Sequence, residues 1–466
     1  MKKFAVIFGS PLSEIQKRAV EELSKILLDE TSEYPVCREY EEGADMSRYI
    51  RIYLGKKENH RYIREHSAKA LTKPEEYRIK VEKDHAIIEG YDDAGVLYGA
   101  IDFYNRYILK YERPDTGECW LNATGKEELP CFEYSSSPCV AERGLWTWGH
   151  VIYDYRGYID HMMKLKMNSM IIWNDFAPVN AREIVNYAHT RNVKVIWGFS
   201  WLWDTRCDRA DLKHLDGYAE TILAKYESEY ADLGVDGIYF QTFTELKNDR
   251  IDGVLIAKAA ADFVNETAAR FYEKYPGLEI QFGLHATSVK NRLDLIATVD
   301  PRIRIVWEDC GAFPFSYDPN DVSGFDETMA FVATAARLRG ASDRFGVVTK
   351  GLVNLDWKKF EHAEGAYCPG VSSESMRRSR AEQKRKIWRY IQTGWLRHPD
   401  AAYEAVRAMC RAKNGKLSIY ALVEDGMFEE NIMYPVALYS EMLWDCERVP
   451  DQIIGEVARR SYVTFA

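Results

Sequence analysis

The sequence predicts an α/β fold, a (β/α)8 TIM barrel preceded by a small α/β domain, on three observations. Eight short apolar runs recur between residues 144 and 422 with helical patterns between them, which is how strands buried on both faces of a parallel sheet read. The length of 466 residues is too great for one small module and suits a large barrel with a companion, at roughly 100–200 residues per domain. Ser135-Ser136-Ser137-Pro138 breaks the pattern between the two parts as a turn-rich connection would.

In the first domain, residues 1–130, an apolar run over 4–8 is followed by helical periodicity over 12–28 and by an alternating stretch over 49–55 that stops at Gly55. Residues 77–81 and 86–90 flank a turn and read as a hairpin. Asp92 and Asp93 then open a helix, acidic residues being favoured at the positive end of the helix dipole. The barrel, residues 140–450, takes its strands from 144–148, 169–173, 193–199, 237–241, 279–284, 303–307, 346–349 and 417–422, and residues 451–466 begin a further helical region.

Composition excludes several classes of function. Lys and Arg number 62 against 72 Asp and Glu, a formal charge of −10, so there is no cationic surplus for a nucleic-acid backbone. No run approaches the roughly 20 apolar residues that span a bilayer, and the apolar stretch after Met1-Lys2-Lys3 is too short for a signal peptide. The nine cysteines are scattered without paired CxxC spacing and are expected to be reduced thiols in a cytoplasmic protein. The histidines show neither HxH nor HExxH spacing, so neither metal nor cofactor is expected. The basic stretch 376–386 reads as a solvated helix face. A homodimer is compatible with the sequence.

Chemistry in this fold sits at the C-terminal ends of the strands, and that rule yields an acidic and aromatic set. Glu245 closes the run after strand four, and Glu308 and Asp309 follow strand six directly. Glycoside hydrolysis needs a pair of carboxylates, one to protonate the leaving oxygen and one to activate water or attack the anomeric carbon. Glu245 is therefore the expected general acid and Glu308 the second carboxylate, with Asp309 as the alternative. Trp148, Trp201, Trp203 and Trp357 offer faces for a sugar ring, and Asp175, Asp204, Gln241, His285 and Glu424 could hold hydroxyls. Bulky residues on converging loops favour an exo-acting pocket over an open cleft. A non-catalytic carbohydrate-binding barrel is the alternative. A phosphate-binding barrel isomerase is disfavoured, because two acids rather than glycines follow strand eight.

Residues 76–79, 86–90 and 94–100 resemble the non-catalytic α/β domain that precedes the barrel in β-N-acetylhexosaminidases of glycoside hydrolase family 20 and α-glucuronidases of family 67. Arg143-Gly144 resembles the pair with which hexosaminidases grip a terminal sugar, which implies a substrate-binding role for Arg143. The sequence departs from family 20 at Thr244, where that family has an Asp that orients the substrate acetamide; Thr244-Glu245 is closer to the α-glucuronidase pattern. The resemblance implies a glycoside hydrolase acting on a hexosaminide or a uronide. Residues 439–445 resemble the barrel-closing Glu-x-x-Trp segment of such enzymes.

Overall fold

The computed structural model describes residues 3–67, 69–111, 128–202, 211–212, 214–308, 311–356, 359 and 363–466. The chain divides into two compact units, one comprising residues 1–138, 190–192 and 458–461 and the other the remainder.

The first unit is built on a six-stranded mixed sheet. Strand Lys3–Phe8 runs parallel between Val36–Glu39 and Tyr49–Gly55. His85–Gly90 then pairs with Tyr49–Gly55, Tyr77–Val81 pairs antiparallel with His85–Gly90, and Phe132–Ser136 completes the far edge. Helix Glu14–Thr31 is capped by the Ser13 hydroxyl, which accepts from the Gln16 amide at 3.1 Å, and helix Asp93–Asp102 by the Asp92 carboxylate, which accepts from Gly95 at 2.8 Å. Each such cap satisfies an amide that has no partner within the helix. Two strands depart from expectation. Val36–Glu39 lies at a sheet edge and is largely exposed, so it lacks an apolar signature, and Phe132–Ser136 places the serine-rich stretch partly in the sheet.

The second unit contains a closed barrel of eight parallel strands. In chain order they are Glu142–Trp148, Ser169–Trp173, Lys194–Gly198, Gly237–Gln241, Glu279–Leu284, Arg304–Trp307, Phe345–Leu352 and Ser418–Val423, each overlapping its sequence-based range. Because side chains alternate across a strand, every second residue faces inward. Trp146, Trp148, Ile171, Trp173, Ile196, Tyr239, Val306, Val348, Tyr420 and Leu422 form one cluster inside the barrel, while the intervening residues pack outward in the larger core that includes the surrounding helices. Gly144 has no room for a side chain, since a Cβ there would lie 1.7 Å from the Ser169 carbonyl oxygen.

The deeper interior is polar. The Glu142 carboxylate accepts from Ser418 Oγ at 2.8 Å and from Arg304 at 3.2 Å, and Gln281 bridges Glu279 and the Tyr420 hydroxyl. Burial opposes the Glu142 charge, but Arg304 and Lys194 outweigh it and hold the carboxyl below its usual range. A paired network of this kind closes the barrel below the residues at its mouth.

The expectation of thiols throughout fails at one pair. Cys139, just before the first barrel strand, is disulfide-bonded to Cys446, a separation of 307 residues. Among the described residues no helix is long and apolar enough to cross a membrane. Residues 451–466 hold part of helix Pro450–Ala458 and a short strand, Val463–Thr464, that pairs with Ile432–Met433.

Candidate active site

Strand alternation carries specific side chains to the C-terminal mouth of the barrel. Trp146 and Trp148 come from strand one, Gln241 from strand four, His285 from just beyond strand five, Glu308 from just beyond strand six, Val348 and Lys350 from strand seven and Leu422 from strand eight. With Glu245 and Tyr317 they line a cavity of about 180 Å³. Trp146 and Trp148 stand edge to face, ring centroids 4.7 Å apart, and form an aromatic wall.

Glu308 is the most constrained acid in this cavity. It is 4% exposed, and its Oε1 accepts from the Tyr239 hydroxyl and from Gln241 Nε2, the latter at 2.6 Å. His285 Nε2 lies 3.9 Å from Oε2. The Glu308 backbone is held on both sides, its amide donating to the Leu284 carbonyl at 3.1 Å and its carbonyl accepting from the Lys350 ammonium. Two donors aimed at one oxygen suit an ionised carboxylate. The arrangement depends on Gly283, where a Cβ would lie 2.1 Å from Tyr239 Oη and 2.3 Å from Glu308 Oε1.

Glu245 sits differently. It ends a short 3-10 turn, Phe243–Glu245, directly after strand four, and its side chain is exposed although it lines the same cavity. Thr244 beside it is fully buried, and its carbonyl accepts from Ser288 Oγ at 2.6 Å, which fixes the turn. Lys350 is 1% exposed and lies 4.6 Å over the Tyr317 ring. The cavity thus combines one buried and one solvent-accessible carboxylate, an ammonium, an imidazole and a tryptophan wall.

Of the residues singled out in the sequence, Glu245, Glu308, Trp148, Gln241 and His285 come together here. Asp309, Trp203, Asp204 and Trp357 lie outside the described residues. Four others are not among the residues that line this cavity. Arg143 belongs at the start of strand one, at the opposite end of the barrel, where its buried guanidinium donates to the carbonyls of Val140, Ala141 and Lys166. Trp201 is fully buried between Phe240 and Phe271, with centroids 3.8 and 5.4 Å away. Asp175 accepts from the Trp173 indole at 3.3 Å, and its carbonyl accepts from Lys225.

Glu424 accepts from Lys384 Nζ at 2.5 Å and from the Asn354 amide at 3.0 Å, and neighbouring Asp425 is held by Arg380 and Lys384. The helix expected to be a solvated basic face, Glu374–Arg397, therefore clamps the loop after strand eight. Sequence reasoning missed Trp146 and Tyr239. The available signal was two-residue spacing, since Trp146 shares the face of Trp148, and Tyr239 that of Gln241.

No protein-family model and no curated protein matches the chain. Solved structures do resemble it. A β-N-acetylhexosaminidase from Bacteroides fragilis NCTC 9343 superposes with a TM-score of 0.55 at 13% identity, over 100% of this chain and 93% of that one. The family-20 β-N-acetylhexosaminidase from Streptomyces coelicolor A3(2) gives 0.53 at 13% identity, over 98% and 91%. An enzyme of glycoside hydrolase family 138 targeting pectin rhamnogalacturonan II gives 0.53 at 12% identity over 97% of this chain, which spans only 65% of that protein. The fold is the barrel architecture of these glycoside hydrolases.

Proposed function

We propose that this protein is a glycoside hydrolase that removes a terminal sugar, with Glu245 as general acid and Glu308 as the carboxylate that activates water. The observation that carries this reading is the meeting of the two acids in one tryptophan-walled cavity, in unlike environments. Glu308, fixed by Tyr239 and Gln241, keeps its acceptor oxygens oriented. Glu245, open to solvent, gives its proton to the glycosidic oxygen and recovers one from water. Trp146 and Trp148 offer the sugar's C–H face an apolar surface.

The sugar is a uronide rather than an acetamido sugar. Lys350 supplies an ammonium to the cavity that a sugar carboxylate can meet. Thr244 replaces the acid that hexosaminidases of family 20 use for an acetamide. An exo mode follows from the small volume of the cavity and the bulk of its walls.

The test is turnover by the purified protein of aryl α- and β-glycosides of glucuronic acid, N-acetylglucosamine and glucose. Release from a glucuronide alone supports the full reading. Release only from the acetamido sugar removes the uronide assignment. Sugar binding without turnover of any substrate replaces the enzyme with a carbohydrate-binding barrel.

A further inference from the structure

Three cysteines from distant parts of the barrel unit meet at one place. Cys139 precedes strand one, Cys410 lies in helix Pro399–Lys413, and Cys446 follows helix Tyr434–Trp444. Their sulfurs all lie within 4.8 Å of one another, and they are the one such group of potential metal ligands among the described residues. Backbone contacts fix the convergence. The Cys139 amide donates to the Trp444 carbonyl at 2.8 Å, Val140 to Leu443 at 3.1 Å, and Gly415 to Cys410 at 2.8 Å. Gly415, at φ +72°, lets the chain after Cys410 pass close to Cys139, whose carbonyl oxygen would lie 2.3 Å from any Cβ there.

The Cys139–Cys446 disulfide uses two of these sulfurs and leaves the third, Cys410, as a buried thiol. We propose that, once that bond is reduced, Cys139, Cys410 and Cys446 together bind one zinc-class cation. Thiolates favour such borderline and soft ions. A tetrahedral zinc with bonds of about 2.3 Å places its sulfurs roughly 3.8 Å apart; the observed limit of 4.8 Å lies about an ångström beyond that, and the bonded pair separates once reduced. A coordinated cation removes a thiol's proton outright. Three thiolates and a dication leave one negative charge, and the Arg407 guanidinium, donating to the Cys446 carbonyl at 3.2 Å, is at hand to offset it.

The chemistry balances with a phosphine as reductant. It takes the oxygen of one water to become its oxide, and the two hydrogens go to the sulfurs of Cys139 and Cys446. The three thiols then release three protons as the ion binds. A fourth position remains for water.

Cobalt(II) is the probe, because thiolate-to-cobalt charge transfer reports sulfur ligation directly. Phosphine-reduced protein, cleared of metal and phosphine, should take up one equivalent with a charge-transfer band that zinc displaces, and the oxidised protein should show none. Cys410→Ser should weaken binding by more than the roughly 10–100-fold that losing an outer-shell neighbour costs. Its far-UV circular dichroism and melting temperature in the oxidised state establish that it folds. Absence of the band in the reduced wild type, or equal titration of Cys410→Ser, overturns the proposal. So does a reduced protein that ignores cobalt but, on reoxidation, shuffles its disulfide onto Cys410, which would make the trio a thiol-exchange group.

Discussion

Replacing Gly283 by alanine tests whether Glu308 works through its fixed position. A Cβ at 283 would stand 2.1 Å from the Tyr239 hydroxyl and 2.3 Å from Glu308 Oε1. Ordinary contacts begin at about 3.5 Å, so relieving both contacts takes movements of roughly 1.2–1.4 Å. Tyr239 is fully buried and has nowhere to go, so the Glu308 carboxylate, which borders the cavity, must give way into the space where a sugar would sit. Overpacking of this sort costs roughly 1–3 kcal/mol, which in a domain of this size lowers the melting temperature by about 2–10 °C.

The catalytic cost should be larger than the stability cost suggests, because a misplacement of about 1 Å can lose roughly 100-fold in rate. The assay is kcat/KM on an activated aryl glycoside that the wild type turns over, beside a thermal melt. Gly346→Ala is the control: its Cβ would meet Ser418 at 3.0 Å, in the polar floor away from the cavity, so stability should fall with little change in rate. Adding Tyr239→Phe to Gly283→Ala removes the nearest obstructing atom and should restore stability more than activity, because Glu308 then loses a donor. A Gly283→Ala enzyme within about threefold of wild-type kcat/KM would refute the claim that Glu308 must lie where it does.

Three further outcomes follow from the same geometry. Glu245→Gln should lose far more activity on poor leaving groups than on activated aryl glycosides, as expected of a general acid; equal losses measured across a leaving-group series would contradict the role. Hydrolysis should invert the anomeric configuration, because strand five separates strands four and six and a bound water needs carboxyl groups roughly 6.5–9.5 Å apart; a retained anomer in an NMR time course would reverse this. Burial raises Glu429 from 4.5 to about 7. The folded state therefore holds a proton that the unfolded state has lost, and stability should fall as pH rises from about 4.5 to 7, by on the order of 3 kcal/mol at most. Glu429→Gln should flatten that decline in melting temperature, and an unchanged pH profile would show that Glu429 is not its source.

The barrel strands were legible because each is buried on both faces, so its apolar run survives whatever surrounds it. The mouth was only partly legible. Position at a strand end does not by itself bring a side chain into the cavity, because depth and side-chain parity act together. Arg143 fails on both counts, being at the start of its strand and one residue out of step with Gly144, Trp146 and Trp148. A one-residue change of register turns a side chain to the opposite face. Trp201 lies three residues beyond Gly198 and stacks outward on Phe240 and Phe271, while Glu308 is in step with Arg304 and Val306 and enters the cavity. Parity alone would have recovered Trp146 and Tyr239.

Other features could not be read locally. Glu424 keeps inward parity with Tyr420 and Leu422, but the chain has left the strand, and Lys384 from a helix some forty residues earlier takes its carboxylate. The cysteine trio is more distant still, Cys139 and Cys446 being separated by 307 positions, so local spacing carries no sign of it. In a closed barrel the first and last strands must pair, Ser418–Val423 lying against Glu142–Trp148, so closure itself brings the segments that flank them together. A long separation in sequence is therefore no argument against contact between segments that flank the first and last strands of a closed barrel.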